Sequence, residues 1–161
     1  MPLSSVQTDV LRLLASHRDP GSYVGGGAPP NRNGPRYPGD IDIFLSHEEH
    51  VAPAALDDAR ALAAAGYRVS WLKQKPSMYT AEVPRGREIT GIDWAVADDN
   101  RFFPTTRDDT FGYVRHPIDN ATLKILNASW RRIRADLPRI VALRRSVVLG
   151  CVYDGVQLNG P

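Results

Sequence analysis

With a single cysteine, Cys151, in 161 residues, the chain has no pair for an internal disulfide, so it is expected to hold together through its core and to suit a reducing, cytoplasmic compartment. Its opening residues show no basic, apolar and small-residue succession of a secretory leader, which leads to the same expectation. No apolar run approaches membrane-spanning length, so no membrane partner is expected. Neither sign of charge dominates. Twenty Lys and Arg against 18 Asp and Glu leave +2, so no global field draws the protein onto nucleic acid, and any basic surface must be local. The histidines, His17, His47, His50 and His116, lack the mutual spacing of a zinc site, and His47 and His50 read as exposed loop residues. No serine stands in a Gly-x-Ser-x-Gly elbow, and Cys151 reads as buried rather than nucleophilic. Internal repeats are also missing.

An apolar content of 42% and this length suit one globular domain. Ser4 or Ser5 can cap a first helix carrying Val6, Val10, Leu13 and Leu14 at helical spacing, ended by Asp19-Pro20-Gly21. A short strand, Ser22-Tyr23-Val24, leads into Gly25, Gly26 and Gly27. Residues 27–39 hold four prolines and read as an irregular loop. Asp40 to Leu45 reads as a strand, and 53–65 as an Ala-rich helix stopped by Gly66. Strands are expected over 67–72, 78–83 and 89–97, as an antiparallel meander. After a loop over 98–109, Asp119 can cap a helix with Thr122, Ile125, Leu126, Ser129 and Ile133 on one stripe, and Asp136 can cap another, with Pro138 in its first turn. Trp71, Trp94 and Trp130 read as core. The order implies an α+β fold with a mixed sheet and flanking helices, divided into a core at 1–115 and a C-terminal helical segment at 116–161.

Asp40 and Asp42, two apart on a strand, share one face, while Ile41, Ile43 and Leu45 share the other. A carboxylate pair in so apolar a strand must be solvated, protonated or bridged by a cation, and a hard divalent ion is the natural bridge. In the later strand, Asp93 shares its face with the small residues Gly91 and Ala95 and is the candidate third carboxylate. Three carboxylates suffice to hold two Mg2+ ions for phosphoryl transfer; the plain alternative is a turn-capping Asp40 and a solvated Asp93. The glycines either let the backbone approach a phosphate or form a flexible turn. They match neither the Walker nor the dinucleotide pattern. Arg131, Arg132, Arg134, Arg139, Arg144 and Arg145 make the C-terminal stretch basic, as an RNA contact or as a solvated face.

Tyr23-Val24-Gly25-Gly26, followed by Arg36-Tyr37-Pro38-Gly39-Asp40-Ile41-Asp42, resembles the Gly-Gly…Arg-x-x-x-Asp-x-Asp pattern of polymerase-β-like nucleotidyltransferases. The run from His116 through Asp119, Ala121 and Lys124, with Arg131-Arg132 and Asp136 beyond it, resembles the AbiEii/AbiGii toxin family. The resemblance implies phosphate binding at Gly25 and Gly26, magnesium at Asp40, Asp42 and Asp93, and nucleotide contact at Lys124, with Arg36 helping to offset the triphosphate charge. It also implies an NTP substrate, transfer to an RNA acceptor, and a toxin–antitoxin or phage-defence role with a cognate antitoxin. The chain departs from the family pattern in Pro29 and Pro30, which interrupt the helix usual after the glycines, and in Arg139, where a second aspartate is common. A family C-terminal helical region extending further than this chain is part of the same expectation. Two rival readings accompany it: transfer to a small aminoglycoside-type acceptor, which an acidic pocket would favour, and a nucleotide- or antitoxin-binding module without turnover.

Overall fold

The computed structural model describes residues 3–34, 38–97, 101–126 and 129. Two compact units divide the chain, Met1–Asn120 and Ala121–Pro161. The first is an α+β unit built on a mixed seven-stranded sheet in the order β3-β4-β5-β2-β1-β7-β6. Its strands are β1 (Ser22–Val24), β2 (Asp40–Leu45), β3 (Ser70–Lys75), β4 (Met78–Arg85), β5 (Glu88–Val96), β6 (Thr106–Asp108) and β7 (Gly112–Val114). Its helices are α1 (Ser5–Leu14) and α2 (Val51–Ala64). β2 runs parallel to β5, and β1 parallel to β7, while the other neighbours are antiparallel.

Alternation in β2 determines how this sheet packs. Ile41, Ile43 and Leu45 are buried on one face, where they join Ile92 and Trp94 of β5, Ala81 and Val83 of β4, and the apolar sides of both helices. Each fully buried aliphatic side chain contributes about 1.5–3 kcal/mol, more than the roughly 1 kcal/mol by which two solvated carboxylates 4 Å apart repel each other in water. The apolar face therefore sets the register, and the aspartates are carried to the opposite side. α1 begins with a reciprocal cap in which Ser4 Oγ accepts from the Gln7 N–H and Gln7 Oε1 accepts from the Ser4 N–H. It buries Val6, Val10, Leu11 and Leu14. α2 ends at Gly66, whose φ of +85° lets the chain reverse so that the Tyr67 N–H bonds the Leu62 carbonyl.

One buried polar centre links the helices to the sheet. Asp58 of α2 is fully buried and accepts hydrogen bonds from Arg18 Nη2 at 2.6 Å to both oxygens, from Trp94 Nε1 at 2.7 Å and from His17 Nδ1 at 2.8 Å. Burial lowers the Arg18 pKa, against the pull of Asp58. No sequence signal marked this network, because its four members are up to 77 positions apart (94 − 17).

Several element boundaries differ from the sequence expectation. The third strand occupies Ser70–Lys75 rather than 67–72, because Tyr67 still closes α2 and the hairpin turn falls at Pro76-Ser77 between paired Lys75 and Met78. The stretch read as a loop over 98–109 ends in β6, and with β7 it forms a hairpin that pairs with β1 through Val24 and Val114. β6 and β7, of three residues each, carry no periodic pattern that separates them from loop. Asp119 does not cap its helix. Helical residues begin at 117, and the Asp119 carboxylate accepts instead from the N–H groups of Phe102 and Phe103, at 3.0 Å each. In the second unit residues 121–126 are helical, with Ile125 and Leu126 exposed. Trp130, Cys151, the expected helix from Asp136 and the basic cluster from Arg131 onward lie outside the described residues.

Candidate metal centre

Parallel pairing of β2 with β5 places Asp42 directly beside Asp93 and Asp40 beside Gly91. The three carboxylates expected from the sequence therefore stand on one face of two central strands. A ligand oxygen of Asp40, Asp42 and Asp93 each lies within 4.8 Å of the others, and no other group of three or more His, Cys, Asp or Glu among the described residues converges so closely. Asp40 is exposed, while Asp42 and Asp93 are half-buried. Three negative charges this close repel one another, so the arrangement suits a cation between its members.

Surrounding residues hold the cluster in place. Thr80 of β4, paired in register with Asp93, donates from Oγ1 to Asp93 Oδ1 at 2.6 Å. That bond fixes one oxygen of the Asp93 carboxylate. Gly91 and Ala95, the small residues on the Asp93 face, are half-buried. On the other side of β2, the Gly25 N–H donates to the Asp42 carbonyl at 2.9 Å and continues the β1–β2 ladder into the glycine turn. A Cβ at Gly25 would stand 2.7 Å from the Phe44 ring, and one at Gly26 would overlap the Asp42 carboxylate. Gly27, by contrast, has ordinary space. Asn31 Nδ2 to the Gly27 carbonyl at 2.9 Å and Asn120 Nδ2 to the Gly26 carbonyl at 3.3 Å hold the turn from two sides.

Sequence reasoning missed three contributors to this face. Thr80 carries no motif, and Asn120 reaches Gly26 from 94 positions away. Arg115 follows Val114 in β7 and lies over the rings of Tyr23 and Phe44, donating to Tyr23 Oη at 2.9 Å. It is buried, and its Nε and Nη1 have no hydrogen-bond partner among the described residues, so a cation sits on the same face of the sheet as the carboxylates. Arg36 lies outside the described residues. Lys124 is exposed on the helical stretch of the second unit.

No protein-family model and no curated protein sequence matches the chain. Among solved structures it is similar to Cid1, an RNA terminal uridylyl transferase, with 16% identity over 60% of this chain and a TM-score of 0.38. A Cid1 poly(U) polymerase structure with Mg and 3'-dATP bound gives 16% identity over 58% and a TM-score of 0.38. A cytoplasmic RNA terminal U-transferase gives 16% over 61% and 0.35. The chain spans about a third of the length of these proteins, at 32%, 30% and 32%.

Proposed function

We propose that the protein is a magnesium-dependent nucleotidyltransferase that moves a nucleotide from an NTP to a hydroxyl acceptor, with RNA as the acceptor. The convergence of Asp40, Asp42 and Asp93 carries this reading. Three hard carboxylate oxygens suit Mg2+, and at Gly26 the turn carries no side chain to displace the Asp42 carboxylate from the cluster. A divalent ion held by these residues supplies charge neutralisation for the triphosphate and acidifies the attacking hydroxyl.

The chain's own residues then have separable tasks. Gly25 and Gly26 admit the triphosphate close to the backbone, and Arg36 and Lys124 offset its charge. Asp93, held at Oδ1 by Thr80, orients the acceptor and takes its proton at Oδ2 as the hydroxyl oxygen attacks the α-phosphorus. The bond from that phosphorus to the β-phosphate oxygen breaks, and pyrophosphate leaves with the electron pair. A role as the toxin of a toxin–antitoxin or phage-defence pair, in the cytoplasm and with an antitoxin partner, belongs to the same proposal.

The test is incubation of the purified chain with Mg2+, total RNA and each labelled nucleoside triphosphate in turn. Labelled RNA is expected from the wild type and none from Asp42→Asn, whose fold is retained because the apolar face of β2 is untouched. Equal labelling by Asp42→Asn ends the proposal, and Mg2+-dependent nucleotide binding without any product selects a module without turnover.

A further inference from the structure

Two phenylalanines stand in solvent although their backbone is firmly held. Phe102 is 75% exposed, more than any other large apolar side chain among the described residues, and Phe103 is 41% exposed. Asp119, itself buried, gives both carboxylate oxygens to their N–H groups, at 3.0 Å each. The Phe103 ring is also stacked on His116, with centroids 4.5 Å apart and planes 24° from parallel. An apolar ring fixed at the surface, rather than drawn into the core, presents a preorganised face to a flat ligand.

The ring pair borders the glycine turn. His116 follows Arg115, whose N–H bonds the Val24 carbonyl and whose guanidinium lies over the Phe44 ring. One helical turn further on, where the Asn120 N–H bonds the His116 carbonyl, the Asn120 side chain reaches the Gly26 carbonyl. From the other flank, the Arg101 guanidinium lies 4.9 Å from the Tyr23 ring centroid, and Tyr23 pairs in register with Phe44. Phe103 and His116 are thereby tied to the β1 and β7 side of β2. Asp93 stands on β5, the neighbour of β2 on its other side.

This arrangement separates the two substrates of the nucleotidyltransferase reading, on which the following inference rests. The acceptor belongs with Asp93, and the incoming nucleotide with Gly25 and Gly26, beside the two rings. We propose that Phe103, backed by His116, is the surface on which the nucleobase of the incoming nucleoside triphosphate stacks. A π face receives any base, so this contact supplies affinity rather than base choice.

The test is calorimetric titration of the whole chain, with Mg2+ present, by the four α,β-methylene nucleoside triphosphates, which cannot be transferred, and by inorganic tripolyphosphate, which has no base. Phe103→Ala, a surface change, is expected to weaken the tightest of the nucleotides about five- to a hundredfold and to leave tripolyphosphate unaffected. Phe103→Tyr keeps the ring and should bind as the wild type does. Nucleotide affinity unchanged in Phe103→Ala, or an equal loss for tripolyphosphate, overturns the stacking contact while the metal and phosphate site stands. A wild-type chain that binds none of these ligands overturns the nucleotidyltransferase reading and the stacking contact with it.

Discussion

Gly26 and Asp42 are packed so closely that a Cβ on the glycine would overlap Oδ2 and stand 2.5 Å from Cγ of the carboxylate. The glycine also has a φ of +60°, in the left-handed region that side chains disfavour. Backbone and carboxylate thus constrain each other.

Gly26→Ala should therefore have two effects. Left-handed strain costs about 1–2 kcal/mol, and the Asp42 side chain, too short to swing clear, must leave the cluster. Gly66→Ala is the control, since Gly66 shares the positive φ, at +85°, but a Cβ there meets nothing within 4 Å. Urea denaturation should show a comparable loss in both variants, whereas Mg2+ binding by calorimetry should fail only in Gly26→Ala. Intact binding in Gly26→Ala would contradict the contact.

Thr80→Val removes the donor to Asp93 Oδ1 while keeping the side-chain shape. Loss of an outer hydrogen bond of this kind typically lowers divalent affinity about ten- to a hundredfold. Thr80→Ser should restore most of it. The check is the Mg2+ dependence of nucleotide transfer in all three proteins, and a Val variant indistinguishable from wild type would remove Thr80 from the site.

Asp58→Ala leaves Arg18 buried without its counter-ion and the Trp94 indole N–H without its acceptor. Breaking a buried pair from one side costs about 3–5 kcal/mol, a large share of the stability of a domain this size. A drop of that order in unfolding free energy is expected by urea titration, and a change below 1 kcal/mol would mean the pair is not formed in solution.

Acid should loosen the segment at Phe102 and Phe103. Burial raises the Asp119 pKa, but the Phe102 and Phe103 N–H groups, with Arg115 and His116, more than offset it and hold the carboxyl below its ordinary value. A depressed folded-state pKa means that the stabilisation is fully present above the unfolded value, about 3.9, and is lost as pH falls through the folded value. Amide exchange at Phe102 and Phe103 should accordingly be protected at neutral pH and rise below about pH 4, while Asp119→Asn should lack this pH dependence. Protection that persists unchanged into strong acid would exclude the Asp119 bonds as its source.

The Asp40–Leu45 strand was legible because its alternation is complete: apolar residues at 41, 43 and 45 must face the core, so 40 and 42 must face away. Helical spacing behind a serine cap likewise revealed α1, Ala richness and the Gly66 stop revealed α2, and alternation revealed the two faces of β5. The third carboxylate could be named as a candidate from its small neighbours, but parallel pairing of residues 51 positions apart (93 − 42) was needed to set it beside Asp42. Thr80, Asn120 and Arg115 were invisible for the same reason, since nothing local distinguishes them. Asp119 was misread because a helix-start signature records what an aspartate can do within its own turn, and a distant loop offered its carboxylate better donors.

Where alternation is complete, as in β2, sequence periodicity settles which face is buried, because burying those apolar side chains outweighs the local alternatives. Which polar side chains then meet each other depends on strand order and register, which arise from long-range pairing with no local trace in the chain. The three-aspartate cluster belongs to both levels, and the stack of Phe103 on His116 belongs to the second alone.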